Sequence, residues 1–349
     1  MAPPAPRPRL VVPGSMPQAL PVSCRWRVRR RGCSRSVPGS RHPDIRVDGG
    51  RRIVAGRLRR GRLCSQTRAS ALRSSLLRRR RVPAGPCHHD RVLHDDRVRA
   101  GSFGDDAAQY DRSRPSYPSD LIDHLVVDGA NRVLDVGAGT GIVSRLLLAR
   151  GCEVLAVEPD DRMAELARRS GVVVEQGNFE EWTPGGRDFD LVVSGQAWHW
   201  VRPDVGASKA ASVLVAGGRV ALFWNQGLLP SPLKEELQSA YRRVAPGLDS
   251  YSIVLGNIDD GRFESTARAL RDTGQFDEPE TRTFLWRRSY TTEQWLDQLP
   301  THSDHRTLPP DRLAVVLDEV GRTIREAGGE FEMTYRTWLV AARRPGRVG

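Results

Sequence analysis

The sequence contains no run of about 18 apolar residues, the length a helix needs to cross a bilayer, so no transmembrane helix is expected. Its opening residues, MAPPAPRPRL, lack the continuous apolar segment and small-residue cleavage site of a secretory signal, which makes the cytoplasm the expected location. Cysteine is scarce. Of five in 349 residues, Cys24, Cys33, Cys64 and Cys87 precede Gly101 and only Cys152 follows it, so no disulfide framework is expected. Cys87, His88, His89 and His94 lie close together, but their spacing does not give the two separated ligand pairs of a zinc motif, and no metal is expected.

The first hundred residues also lack lysine and glutamate altogether. They hold 25 arginines against five aspartates (Asp44, Asp48, Asp90, Asp95 and Asp96), a net charge of +20. Of the chain's 54 basic and 42 acidic residues, 29 and 37 remain from Gly101 onward, a net charge of −8. The basicity thus belongs to the head alone and does not by itself imply a nucleic-acid partner for the rest. Residues 1–97, rich in Arg, Pro, Gly and Ser without helical or strand periodicity, cannot bury enough apolar surface to offset chain entropy, and disorder is expected there. Two readings stand: a basic arm for nucleic acid or anionic lipid, or high-GC sequence ahead of the true start, with translation beginning near Val98. An intact mass of the native protein at the full-length value would exclude the second. The expected division is therefore a head, 1–97, and one folded domain, 98–349.

From about Asn131 short strands alternate with helices, the pattern of a parallel sheet covered on both faces. The strands read are Arg132–Val136, Glu153–Val157, Val172–Gln176, Asp190–Ser194 and Arg219–Trp224, whose short apolar runs suit burial on both sides. Ile142, Val143, Leu146 and Leu147, then Met163, Leu166 and Ala167 behind a cap at Asp160, recur at helical spacing. Further on come helices near Pro232–Val244 and Arg262–Thr273, a strand near Thr281–Trp286, an amphipathic helix from Pro310 to Ala327, and a final alternating strand, Glu330–Arg343.

The strongest local signal is the apolar strand Val133-Leu134-Asp135-Val136 running into Gly137-Ala138-Gly139-Thr140-Gly141 at the start of a helix. Glycines there let a ligand approach the backbone and permit unusual dihedrals. Seventeen residues after Gly141 the second strand ends in Glu158-Pro159, where a carboxylate is placed to accept from ribose hydroxyls. A dinucleotide fingerprint would need its third glycine at Ile142 rather than Gly141. Asp135, two residues before Gly137 and directed toward the turn, suits an ammonium group and would repel a pyrophosphate.

These residues resemble the class I S-adenosylmethionine-dependent methyltransferases, over about Phe103 to Arg343. The resemblance implies a Rossmann-like α/β fold, a mostly parallel sheet with an antiparallel C-terminal strand and helices on both faces. It implies S-adenosyl-L-methionine as cofactor, with contacts from Asp135, Gly137, Gly139 and Gly141, from Glu158 and Pro159 at the ribose, and from Asn178 and Phe179 at the adenine. Many relatives have Asp where Asn178 stands; the amide oxygen can still accept, without charge assistance. Gln109–Pro118 is similar to the segment that folds over the cofactor, which implies an aromatic lid from Tyr110 and a carboxylate contact from Arg114. Leu214–Val220 resembles the glycine turn before the fifth strand.

The fourth strand leads into Gly195-Gln196-Ala197-Trp198-His199-Trp200, which the resemblance places between cofactor and acceptor, with Gln196 counted among the cofactor contacts. Two tryptophans flanking a histidine suit a small-ligand pocket, and His199 could take a proton during transfer, although sulfonium methyl transfer can also proceed by positioning alone. Enzymes that methylate nucleic-acid amino groups carry Asn or Asp followed by Pro-Pro and an aromatic here. The tip SGQAW and the charge of −8 favour a small-molecule acceptor over nucleic acid. Tyr290–Gly329 resembles the substrate-covering section of relatives close to the trans-aconitate and quinone-pathway methyltransferases. Two other readings remain: an NAD(P)-dependent oxidoreductase, and a non-catalytic nucleotide-binding module working through a basic arm.

Overall fold

The computed structural model describes residues 101–248 and 261–346. The expected head, 1–97, and a start near Val98 lie outside the described residues. A 3-10 turn, Ser102–Asp106, precedes α1 (Ala107–Ser113) and α2 (Ser119–Val126). The alternating section runs β1 (Arg132–Val136), α3 (Ile142–Leu148), β2 (Glu153–Glu158), α4 (Asp161–Arg169), β3 (Val173–Gln176), β4 (Phe189–Gly195), α5 (Pro203–Val213) and β5 (Leu214–Leu228). Then follow α6 (Ser231–Val244), α7 (Gly261–Asp272), β6 (Glu280–Thr291), α8 (Thr292–Gln298), α9 (Ser303–Arg306), α10 (Pro310–Glu326) and β7 (Glu330–Arg343).

The seven strands form one sheet in the order β3-β2-β1-β4-β5-β7-β6, with β1 to β5 parallel and β7 antiparallel to both neighbours. The expected mostly parallel sheet with an antiparallel C-terminal strand is therefore what the chain forms. Alternate residues face opposite layers, as the period of two requires. Leu134, Val192, Val220 and Leu222 face one core with α5 and α7. Val133, Leu191, Val193 and Ala221 face the other with α2 and α3. A third cluster, remote from the parallel strands, joins Leu237, Tyr241, Trp295, Val320, Phe331 and Met333 and builds a cap from α6, α8, α10 and the far ends of β6 and β7.

Helix starts follow their local chemistry. Asp160 caps α4 by accepting from the Arg162 N–H at 2.9 Å, and Thr291 and Gln294 form a capping box at α8. The sequence gives no reading of α1, α2, α5, α8 or α9. In α5 the buried face is Gly206, Ala207, Ala210, Ala211 and Val213, so its amphipathic contrast is slight, yet small side chains are what let it lie close. A Cβ at Gly206 would stand 2.4 Å from Val201 Cγ1. β6 reaches Thr291, five residues beyond the strand expected to end at Trp286, because β7 pairs with it along its whole length. Among the described residues no helix is long and apolar enough to cross a membrane.

Candidate active site at the carboxyl edge of the sheet

The carboxyl ends of β1, β2 and β4, with the loop after β3, open onto a cleft whose far wall comes from residues 103–117 and from the cap. The turn after β1 is tied to β2, since the Gly137 N–H donates to the Val157 carbonyl at 2.8 Å. Gly137 has φ +67°, and a Cβ on it would lie 2.6 Å from Ala197 Cβ at the tip of β4. Both facts require glycine. Gly137 and Gly139 line the cleft, but Gly141 does not. Gly141 has φ +81°, and a Cβ there would meet Ala167 and Val172 at 3.1 Å, so its place in the motif is to seat α3 against α4.

The two predicted acids are handled differently. Glu158 lines the cleft, its carboxylate accepting from the Gly139 N–H at 2.8 Å and the Asp160 N–H at 2.9 Å. Burial pushes its pKa up to about 7. A carboxylate offers about four lone-pair sites, so two backbone donors leave room for hydroxyls. Asp135 is only 1% exposed and lies beneath the turn instead of in the cleft wall. Its Oδ2 accepts from Ser144 Oγ at 2.6 Å, its Oδ1 has no partner among the described residues, and burial raises its pKa to about 6. A buried acceptor without a donor is costly, and it suits a cation reaching the turn from above.

Pro159, Asn178 and Phe179 line the cleft beside Glu158. Phe179 is 3% exposed and stacks on Trp182 at 6.4 Å between centroids. Lys209 of α5 holds this loop by donating to the Glu180 carbonyl at 3.0 Å and to the Trp182 carbonyl, with its ammonium 5.5 Å from the Phe179 ring centre. Sequence reading offered no signal for that clamp, because Lys209 lies 29 residues from Glu180.

At the tip of β4, Gln196 is the one non-glycine residue with positive φ (+58°) among the described residues. Such a conformation costs on the order of 1–3 kcal/mol. Two bonds hold it, from the Gln196 N–H to the Phe223 carbonyl at 2.9 Å and from Gln196 Nε2 to the Asn225 carbonyl at 3.0 Å. Of the two tryptophans beside His199, Trp198 belongs to the core at 3% exposure, while Trp200 and His199 line the cleft. Trp224 donates its indole N–H to His199 Nδ1 at 3.3 Å. Indole is a donor only, so the neutral His199 ring carries its proton on Nε2. The lone pair expected to accept a proton is therefore engaged.

Tyr110 and Arg114 line the cleft together with Tyr117 and Phe103. Phe103 packs edge-on between Tyr110 and Trp200, with centroids 6.0 and 5.9 Å away. The Arg114 guanidinium lies 4.8 Å over the Tyr110 ring and donates to the Thr301 carbonyl at 2.6 Å. Ion pairs Arg112–Asp297 and Arg145–Asp111, each 2.7 Å, fasten the segment to α8 and α3. The cap contributes His302 and Ser303, and α7 contributes Arg262, all absent from the sequence prediction. Beneath His302, the Tyr241 hydroxyl lies 2.8 Å from His305 Nε2 and His305 Nδ1 lies 2.8 Å from Asp304 Oδ1, a buried chain that fixes this turn.

Residues 133–218 match the family model of a methyltransferase domain. An uncharacterized methyltransferase of Mycobacterium tuberculosis is 43% identical over 126 residues, 36% of this chain and 52% of its own. The chain thus spans about half the length of the first curated relatives it matches. A trans-aconitate 2-methyltransferase of Mycobacterium tuberculosis is 35% identical over 92 residues, 26% of this chain and 34% of that protein. Among solved structures, a putative type II methyltransferase from Anaeromyxobacter dehalogenans is similar with a TM-score of 0.49 and 21% identity, covering 67% of this chain and 99% of that one. The strand order, the glycine turn and the sequence matches agree on a methyltransferase domain around residues 133–218.

Proposed function

We propose that this protein transfers a methyl group from S-adenosyl-L-methionine to a small-molecule acceptor. The observation that carries the reading is the pairing of the Glu158 carboxylate with the Gly139 N–H at the mouth of the turn, with Asp135 buried beneath and its Oδ1 without a partner among the described residues. Two acids around one glycine turn suit a ligand bearing hydroxyls and an ammonium group, and disfavour a pyrophosphate.

In this reading Glu158 and Pro159 hold the ribose, and Asn178 with Phe179 holds the adenine. Gly137 and Gly139 let the ligand approach the backbone. Arg114 and Tyr110 close over the methionine end, Asp135 supplies charge to it through the turn, and Gln196 shapes the wall beside it. The bound sulfonium supplies an activated methyl group. What the chain supplies is alignment: the aromatic segment Phe103–Tyr110–Trp200 shields the cleft from water, and fixed donors orient the acceptor. With three carboxylates in the cleft wall (Glu158, Asp160 and Glu180) and a charge of −8 from Gly101 onward, a nucleic-acid substrate is disfavoured.

Calorimetric titration with S-adenosylmethionine, S-adenosylhomocysteine and, separately, NADH tests the reading. Saturable binding of the first two and none of the third is expected. Binding of NADH alone would overturn it in favour of a dehydrogenase.

A further inference from the structure

Asn225 follows the core residues Phe223 and Trp224 on β5 and is itself buried. Burying an amide is costly unless it is hydrogen-bonded, and here both ends of the side chain are. Its Oδ1 accepts from the Thr337 hydroxyl at 2.6 Å, and its Nδ2 donates to the Ser116 carbonyl at 2.9 Å. Its backbone carbonyl accepts from Gln196 Nε2 at 3.0 Å, one of the two bonds that hold Gln196 at positive φ.

The direction of this chain of bonds is fixed from both sides. Thr337 stands directly opposite Asn225 in the β5–β7 ladder and is fully buried. Its Oγ1 lies 2.9 Å from the indole nitrogen of Trp286 on β6. An indole can only donate, so the hydroxyl accepts from Trp286 and turns its own hydrogen to Asn225 Oδ1. A carbonyl can only accept, so the amide nitrogen of Asn225 has to face Ser116. A buried network satisfied in this way is rigid.

Asn225 lines the cleft, whereas Thr337 and Ser116 do not. Ser116 is flanked by Pro115 and Tyr117, both in the cleft wall, and Arg114 precedes them there. Tyr117 packs edge-on against Phe223, with centroids 5.0 Å apart. A bond to the Ser116 carbonyl therefore sets how the covering segment stands over the sheet edge.

We infer that Asn225 is a positioning residue for cofactor binding, latching the covering segment to β5 at Ser116, and that Thr337 behind it keeps the amide turned for that bond. This rests on the methyltransferase reading above, in which Tyr110 and Arg114 close over the methionine end. A pair that served only to join β5 to β7 would be felt in the melting temperature and not in ligand affinity.

The test uses the full chain and S-adenosylhomocysteine, with Kd from calorimetry beside the melting temperature of each variant. Thr337→Val keeps the shape of a buried side chain that does not reach the cleft, and removes its hydroxyl. Its Kd should rise about 2- to 10-fold, the range for one neutral hydrogen bond, and Thr337→Ser should restore the native value. Asn225→Ala should raise Kd at least as much, and adding Thr337→Val to it should raise Kd no further, because both act through one bond. Either single variant decides the matter if the other does not fold. An unchanged Kd in Thr337→Val, with only the melting temperature lowered, would overturn the inference. So would a Kd for Thr337→Ser as weak as for Thr337→Val, an unchanged Kd in Asn225→Ala, or effects that multiply in the double variant. Failure of S-adenosylhomocysteine to bind the native protein would instead overturn the methyltransferase reading, and this inference with it.

Discussion

The indole N–H of Trp224 points at Nδ1 of His199 from 3.3 Å, so a core residue on β5 decides which nitrogen of a cleft residue bears the proton. Trp224 is 1% exposed and cannot turn away without disturbing its core. Nitrogen NMR of the imidazole should therefore show the Nε2–H tautomer in the native protein. In Trp224→Phe the two tautomers should mix, at a stability cost of roughly 1–3 kcal/mol for the altered packing and the lost bond.

Glu158 gives a pH dependence whose sign is fixed. Burial raises its pKa from 4.5 in the unfolded chain to about 7. Between those values the folded state binds the extra proton, so its contribution to stability is full below the lower value and is lost as pH rises through the upper. In Glu158→Gln that loss is absent. The stability difference between the variant and the native protein should move in the variant's favour between pH 5 and pH 8, by up to about 3 kcal/mol at roughly 1.36 kcal/mol per pKa unit. Denaturant melts of both proteins at the two pH values measure it. A difference that does not change with pH would remove the buried carboxylate from the account.

The same substitution should weaken S-adenosylhomocysteine binding. Exchange of a carboxylate acceptor for an amide removes charge assistance from the ribose contacts, a loss of about 10- to 100-fold in Kd. Calorimetry at pH 8, where the native carboxyl is ionised, gives the cleanest comparison.

Gly137→Ala and Gly129→Ala separate crowding from backbone strain. Both positions have positive φ, +67° and +76°, but a Cβ at Gly129 meets nothing within 4 Å whereas one at Gly137 meets Ala197 at 2.6 Å. The Gly129 change should cost only the left-handed penalty of roughly 1–2 kcal/mol. Gly137→Ala should add an overpacking cost of about 1–3 kcal/mol and abolish cofactor binding. Equal melting temperatures for the two variants would contradict the close approach of the β1 turn to the β4 tip.

Arg112 joins Asp297 in an exposed bidentate pair that holds α1 to the cap. Arg112→Ala should lower global stability by less than about 1 kcal/mol, as exposed pairs do. Hydrogen exchange at residues 101–117 should nevertheless accelerate, because the covering segment loses an anchor while the core keeps its packing.

Much of the candidate site was legible from the sequence because it is local. The glycine turn, Glu158, Asn178 and Phe179 each sit at the end of a strand whose apolar run announces it, and a parallel sheet gathers such ends on one edge. Asp135 and Gly141 were recognised as parts of the motif, yet they lie behind the cleft surface, since spacing along a chain does not tell which side of a turn a side chain takes. Arg262 carried no local signal, and His302 and Ser303 were covered only by the resemblance of Tyr290–Gly329 to a substrate-covering section, which names no single residue.

What the sequence determined by itself is the order of elements and the chemistry at each strand tip, since apolar periodicity, caps and glycine turns act over a few residues. The tertiary structure decided the protonation and pairing of those groups. Trp224 reaches His199 across 25 positions, Arg114 reaches Thr301 across 187, and Thr337 donates to Asn225 across 112. A hydrogen bond between distant residues is fixed by packing and strand register, and neither is written in the local pattern that names the motif.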